Sequence, residues 1–217
     1  MGSASPPVKT MNLTNQDDEP VLRVALLAER NNLAEAVTRE IEGIGVRVAL
    51  QRVQEDQAVE DALVAFPANV VLADLSSTHS DTWRAYSAAR AIRPSAPFIL
   101  LTETLDEDSV VSFARYHPDN LVLVGNLARL GPAVQAALER RRPLAKLSRR
   151  QLEVLVMVAE GQSTRAIAAK YALSVKTIES HRSAMMKRLG VHDIAVLVRY
   201  ALRMGLVPAD PIDVSQD

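Results

Sequence analysis

Between positions 175 and 189 the residue types suit one kind of contact. On a helical wheel at about 100° per residue, Ile178, Met185 and Leu189 share one line, with Val175 nearby. That face is expected to pack inward. Lys176, Ser180, Ser183 and Lys187 gather on the opposite side, with Glu179 on its flank. Small hydroxyl side chains allow close approach, and lysines meet phosphates. Ser180 and Ser183 can donate to or accept from base edges, and Glu179 can accept from a cytosine amino group. The chemistry suggested is groove recognition in a nucleic acid rather than bond making or breaking. His181 falls on the inward side, where a packed or phosphate-bonded histidine is expected rather than a catalytic one.

The neighbouring segments read as supports for this helix. Ser163 can cap a helix from about Thr164 to Tyr171, and Ser174 can cap the next one. The two are joined by a tight Ala-Leu-Ser connection, which is helix-turn-helix spacing. Upstream, Ser148 and Gln151 have capping-box spacing. Leu152, Leu155, Val156 and Ala159 form the apolar face of that helix, and Gly161 ends it. Gly190 ends the helix that began near Val175. A fourth helix over 193–204 places Ile194, Leu197, Val198, Ala201 and Leu202 on one side.

These residues carry a resemblance. Leu147-Ser148-x-x-Gln151-x-x-Val154-Leu155, Glu160-Gly161, Ser163, Ile167-Ala168, Leu173-Ser174-x-x-Thr177-Ile178-x-x-His181 and Lys187-Arg188-Leu189-Gly190-Val191 resemble the LuxR/FixJ/NarL-type DNA-binding domain over about 65 residues. The resemblance implies sequence-specific binding to double-stranded DNA as a homodimer. It places base reading on Glu179, Ser180 and Ser183, and backbone contacts on Lys176, Thr177, Arg182 and Lys187. It places Val196 and Tyr200, on the last helix, at the dimer interface.

The first half has a different rhythm. Apolar runs at 21–28, 46–50, 69–74, 98–102 and 120–124 alternate with amphipathic segments, the last of them a helix over 127–141. Asn31 or Asn32 is expected to cap the first helix, and Trp83, Tyr86 and Ile92 to anchor the third. Apolar strands alternating with helices imply a parallel sheet covered on both faces. Five such units match a flavodoxin-like (βα)5 domain, whose chemistry sits at the carboxyl ends of the strands. Those ends carry Glu29, Asp74, Thr102 and Gly125.

Joined to the helical half, this domain resembles a response-regulator receiver. The resemblance implies Asp74 as a phosphosite, with Glu29 and Thr102 in the receiver pocket. The residues depart from that pattern. A phosphorylatable receiver needs an acidic pair after the first strand, but the pair reads Ala28-Glu29. It needs a lysine after the fifth, where Gly125 and Asn126 stand. The usual Met-Pro after the aspartate reads Ser77-Thr78. Metal and lysine neutralise phosphoryl oxygens during transfer to a carboxylate, so an atypical receiver outside ordinary Mg²⁺-dependent aspartyl phosphorylation is expected. Asp74 then serves as a hydrogen-bond acceptor or a weak phosphosite. A signalling protein, a small ligand or constitutive dimerisation is compatible with this domain instead.

Charge divides along the same line. Residues 1–142 carry 14 basic and 19 acidic side chains, whereas residues 144–206 carry 11 and 4. Only the second half is expected to meet an anionic partner. The chain has no cysteine, which excludes disulfides and cysteine-ligated metals. No resident metal or cofactor is expected. No apolar run approaches a membrane span, and the polar opening is unlike a secretory signal, so a cytoplasmic location is expected. Phosphate-cradling loops, the G-x-S-x-G elbow and H-E-x-x-H are absent, which argues against an enzyme. The expected architecture is α/β then all-α: a tail over 1–20, a receiver-like domain over 21–142, a four-helix helix-turn-helix domain over 143–208 and a tail over 209–217. Arg140 to Pro143 is expected to form the boundary, with proline stopping the helix and the charges solvated. The alternatives to an atypical regulator are a conventional phospho-regulated one and a dimeric protein-interaction module.

Overall fold

A computed structural model describes residues 21–30, 32–53, 58–75 and 79–207. The two tails, Asn31 and the Ser77-Thr78 pair lie outside the described residues, as does the side chain of Trp83.

Five parallel strands form one sheet: β1 (Val21–Leu27), β2 (Arg47–Val53), β3 (Val70–Asp74), β4 (Phe98–Thr102) and β5 (Asn120–Leu123). Their order is β2-β1-β3-β4-β5, the doubly wound order of flavodoxin-like sheets. Among the described residues five helices connect and close the domain: α1 (Leu33–Glu42), α2 (Val59–Ala65), α3 (His79–Ile92), α4 (Glu107–Tyr116) and α5 (Leu130–Ala145). Side chains alternate between faces along a strand, so each central strand feeds two cores. Val24, Leu26, Val70, Leu72, Ile99 and Leu101 pack under α1 and α5. Ala25, Val71, Ala73, Phe98 and Leu100 pack on the other face with Leu63, Ala85 and Ala89. Full burial of each such Leu, Ile, Val or Phe contributes about 1.5–3 kcal/mol. Gly131 lets α5 lie close to α1, because a Cβ there would come within 2.7 Å of the Glu40 carbonyl oxygen.

The fifth unit departs from expectation. After β5 the chain makes a 3-10 turn over Val124–Arg129, with Asn126 outside helical geometry. Then α5 runs straight through the predicted boundary. Pro143 does not stop it; the helix continues to Ala145. Proline lacks the N–H that would bond four residues back, and the loss is tolerated here in the last turn. Leu130, Val134 and Ala137 of α5 belong to the α/β core, while Leu144 belongs to the core of the following helices. One helix therefore serves both cores.

The expectation of a solvated arginine run holds for the exposed Arg140 and Arg142 but fails at Arg141. Arg141 is 1% exposed. Its Nε donates to Asp119 Oδ1 at 2.7 Å, its Nη1 to the Pro94 carbonyl at 2.8 Å and its Nη2 to the Met204 carbonyl at 2.6 Å. Arg90 approaches the same carboxylate, Nη2 to Oδ2 at 3.1 Å, and the Phe98 amide donates to that oxygen at 2.8 Å. Burial pushes the Arg141 guanidinium down to about 10, the Arg90 charge adds to the effect, and Asp119 opposes it. Tyr86 donates its hydroxyl to the Gly205 carbonyl at 3.0 Å. Gly205 has φ +60, and a Cβ there would lie 2.6 Å from that hydroxyl. The end of the last helix is thus gripped by the α/β domain.

Removing one member of a buried ionic group leaves the others uncompensated, at a cost of about 3–5 kcal/mol. Asp119→Asn is expected to lower unfolding free energy by that amount in urea denaturation followed by circular dichroism. A loss no larger than that of an ordinary surface substitution would contradict the role assigned to this carboxylate.

Candidate functional site

The helical domain begins at α6 (Arg149–Ala159), opened by a complete capping box between Ser148 and Gln151. Leu152, Val154, Leu155, Met157 and Val158 are buried, while Val156 and Ala159 are only half-buried. The apolar surface is therefore broader than a single stripe, as suits a central helix. α7 (Thr164–Lys170) is capped by Ser163, and α8 (Val175–Leu189) by Ser174, with Gly190 in the left-handed conformation at its end. α9 (Ile194–Arg203) is capped by Asp193, which accepts from the amides of Ala195 and Val196. Leu197 and Ala201 of α9 are buried, whereas Ile194 is exposed.

The turn between α7 and α8 has a definite geometry. The Leu173 amide donates to the Ala168 carbonyl at 2.9 Å and the Ala172 amide to the Ala169 carbonyl at 3.2 Å. This is the paired-bond Schellman termination. Ala172 occupies its left-handed position at φ 51, where glycine is the usual residue.

α8 is half sunk into the domain. Ile178 and Met185 are fully buried, and Leu189 is half-buried. Val175, expected inward, is 40% exposed; the first turn overhangs the packed face. Lys176, Glu179, Ser180, Ser183 and Lys187 are all exposed on the outer face. The Ser180 hydroxyl donates to the Lys176 carbonyl at 3.0 Å, a local bond that a stronger partner can replace. Thr177 and Arg182 are more engaged. Thr177 shares the cap with Ser174, 2.8 Å between hydroxyls. Arg182 donates from Nη1 to the Thr164 hydroxyl at 2.7 Å, so it also holds α8 against the start of α7. His181 is half-buried.

On α9, Val196 is 37% exposed. Tyr200 is half-buried, and its hydroxyl is enclosed with no hydrogen-bond partner among the described residues. Burial raises its pKa, and the Arg141 charge works against that rise.

The second cluster sits at the carboxyl ends of the strands. Asp74 is 1% exposed. Both its oxygens accept from Arg30, Nε to Oδ2 and Nη2 to Oδ1, each at 2.8 Å. Arg30 also donates from Nη1 to Glu103, the residue after β4. Hydrogen bonding to Asp74 raises the Arg30 pKa, and the charges of Asp74 and Glu103 add to it. Glu29, expected in the pocket, is exposed, and Ala28 is buried beside it. Thr102 is buried and donates to the Thr104 carbonyl at 2.9 Å, with the Ser109 hydroxyl 3.3 Å away. Gly125 and Asn126 stand exposed in the 3-10 turn. Among the described residues no group of three acidic, histidine or cysteine side chains is arranged to hold a metal ion. Arg30 was not anticipated from the sequence. Its signal was a cation directly after the lone acid of a broken acidic pair.

Residues 145–201 match the family described as bacterial regulatory proteins, luxR family. Residues 145–201 form a luxR-family domain. The oxygen regulatory protein NreC of Staphylococcus aureus (strain JH9) is 42% identical over 65 residues, which is 30% of this chain and 30% of that protein. Less than a third of NreC is therefore matched. RcsB from Salmonella enterica serovar Typhimurium, solved bound to promoter rprA with a phosphomimetic, is similar at 25% identity and a TM-score of 0.45. The likeness covers 82% of this chain and 98% of that one. Full-length FixJ from B. japonicum is similar at 19% identity and a TM-score of 0.43, covering 85% and 98%. No helix among the described residues is long and apolar enough to cross a membrane.

Two expectations follow from this geometry. A left-handed alanine costs roughly 1–2 kcal/mol relative to its preferred region. Ala172→Gly should therefore raise the stability of the helical domain, measured as a higher urea midpoint; an unchanged or lower midpoint would contradict the assigned turn. Asp106 caps α4 and accepts from the Ser109 hydroxyl, the Ser109 amide and the Thr104 hydroxyl, which together hold it down at about 2 against an ordinary 3.8. Because the folded value is the lower one, the cap is fully effective above the ordinary value and is lost as pH falls through about 2. Carboxyl carbon chemical shifts should titrate with a midpoint near 2.

Proposed function

We propose that this protein is a sequence-specific DNA-binding transcriptional regulator that acts as a homodimer, with an α/β domain not controlled by ordinary Mg²⁺-dependent aspartyl phosphorylation. The observation that carries the DNA reading is the outer face of α8. It presents Lys176, Glu179, Ser180, Ser183 and Lys187 together, on a helix fixed from behind by Ile178 and Met185. A helix with this face can enter the major groove. Glu179, Ser180 and Ser183 meet base edges, and Lys176 and Lys187 meet phosphates. Thr177 lies in the first turn, where backbone amides favour an anion. Arg182 spends one N–H on Thr164 and has others to offer a phosphate. In the proposed dimer on DNA, α9 meets its partner at Val196, which is 37% exposed, and at Tyr200.

The regulatory reading rests on Asp74. A phospho-accepting carboxylate must be open to its donor and its metal. Here both oxygens accept from one guanidinium, and the hydroxyl of Thr102 is turned to its own loop. The input then comes from a signalling protein or a small ligand rather than from a phosphoryl group.

Selection of bound fragments from random double-stranded DNA is expected to yield an inverted repeat. Lys176→Ala should weaken binding to all sequences alike and reduce the salt slope by about 1. Ser183→Ala or Glu179→Ala should re-rank sites at one position, by about 1–3 kcal/mol. Binding with no sequence preference would overturn the first reading. A phosphoryl mass increment mapped to Asp74 after treatment with a small phosphodonor and Mg²⁺ would overturn the second.

A further inference from the structure

We infer that Arg30 is a resident cation standing where a phospho-accepting receiver holds its divalent metal, and that it fastens the β4–α4 connection to the sheet. This inference rests on the regulatory reading above and names the residue responsible.

The receiver resemblance implies a Mg²⁺ site, and the residues present do not fit one. Mg²⁺ needs carboxylate oxygens at about 2.0–2.1 Å in octahedral array. Ala28 supplies no ligand. Glu29 is exposed. Among the described residues Asp74 is the only buried acid at these strand ends, and Arg30 Nε and Nη2 each approach one of its oxygens at 2.8 Å. A divalent ion at that carboxylate would face a full positive charge within the same pocket.

The fork geometry suits the task. A buried carboxylate is unstable without a partner. A guanidinium matches both its oxygens at once, which an ammonium cannot do. Arg30 is also covalently attached. A tethered partner competes at a high effective concentration, so a free dication at cellular levels meets a site already filled.

The third contact gives the arrangement a consequence. Arg30 Nη1 reaches Glu103, which follows Thr102 and opens the β4–α4 connection. Arg30 at the end of β1 thereby joins Asp74 at the end of β3 to the first residue beyond β4. On its far side the same connection is tied internally: Asp106 Oδ1 accepts from the Ser109 hydroxyl at 2.6 Å, and that hydroxyl is also within 2.9 Å of the Thr104 carbonyl. The connection is held at both ends without phosphate or metal. The α/β domain keeps one state of this loop instead of switching it by phosphorylation.

The test uses the full chain with Mn²⁺ as the probe. In isothermal titration the native protein should bind no Mn²⁺ at Asp74. Arg30→Asp, which puts a carboxylate in place of the cation beside Asp74, should gain a Mn²⁺ site that Asp74→Asn removes. Arg30→Met should speed amide exchange over residues 103–109 about tenfold, which corresponds to ~1.4 kcal/mol of local stability; Arg30→Lys should fall between. Arg30→Lys and Arg30→Met keep the test open if Arg30→Asp fails to fold. Native Mn²⁺ binding abolished by Asp74→Asn would overturn the inference, as would unchanged exchange over 103–109 in Arg30→Met. Phosphoryl transfer to native Asp74 defeats the regulatory reading itself. No transfer together with unchanged exchange leaves that reading standing and removes the role given to Arg30.

Discussion

One buried carboxylate joins the two halves of this molecule. Asp119 stands just before β5, and Arg90 from α3 and Arg141 from α5 converge on it. Arg141 goes on to the carbonyl of Met204, beyond α9. The same side chain therefore settles where the last helix of the luxR-family domain lies against the α/β domain. Two guanidiniums on one carboxylate leave a net buried positive charge. Backbone carbonyls of Pro94, Ala96 and Met204 absorb it. Such a group contributes little net stability over an apolar replacement, because desolvating the charges offsets their attraction. What it contributes is position. An apolar seam tolerates sliding, whereas these donors accept one register. Tyr86 adds a second fixed point at the Gly205 carbonyl, and only a residue without Cβ fits beneath its hydroxyl.

That joint also explains what could and could not be read from residue order. Five apolar runs alternating with helices led directly to the parallel sheet, because strand and helix periodicities are local. Capping serines at 148, 163 and 174 and the glycine at 190 marked helix ends for the same reason. Arg141 was read as solvated because its neighbours are arginines. Its real partners, Asp119 and Met204, lie 22 and 63 residues away, and no local pattern reports them. Pro143 was read as a stop because proline usually is one. The helix passes it because Leu144 has a place in the second core, and that burial outweighs one lost hydrogen bond in a terminal turn.

The proposed DNA-reading face was legible for a related reason. Helical periodicity separates inward from outward side chains, and α8 obeys it at Ile178, Met185 and the exposed row from Lys176 to Lys187. What periodicity could not show is that Arg182 is tied to Thr164, since a wheel describes one helix and that bond crosses to another. The tie matters for the proposed chemistry. Groove reading depends on the angle at which α8 is held, and Arg182 helps to hold it. Tyr200 shows the same limit from the other direction. Its place on α9 was read correctly, but its enclosed hydroxyl near Arg141 depends on the domain joint.

Two buried carboxylates of the α/β domain, Asp74 and Asp119, are each paired with arginine. Arginine stays charged throughout the physiological range, and even Arg141, pushed down to about 10, remains so. A covalently attached cation, moreover, is always present. An ordinary receiver carboxylate is left with charge that only an added metal and phosphoryl group can balance, and that unfilled balance is what makes it a sensor. In the proposed reading Arg30, bonded to both oxygens of Asp74, fills that balance. Under the regulatory reading proposed above, any signal reaching the luxR-family domain through this sheet must act by displacing a guanidinium or by binding the outer surface. Both are the work of a partner that brings its own contacts.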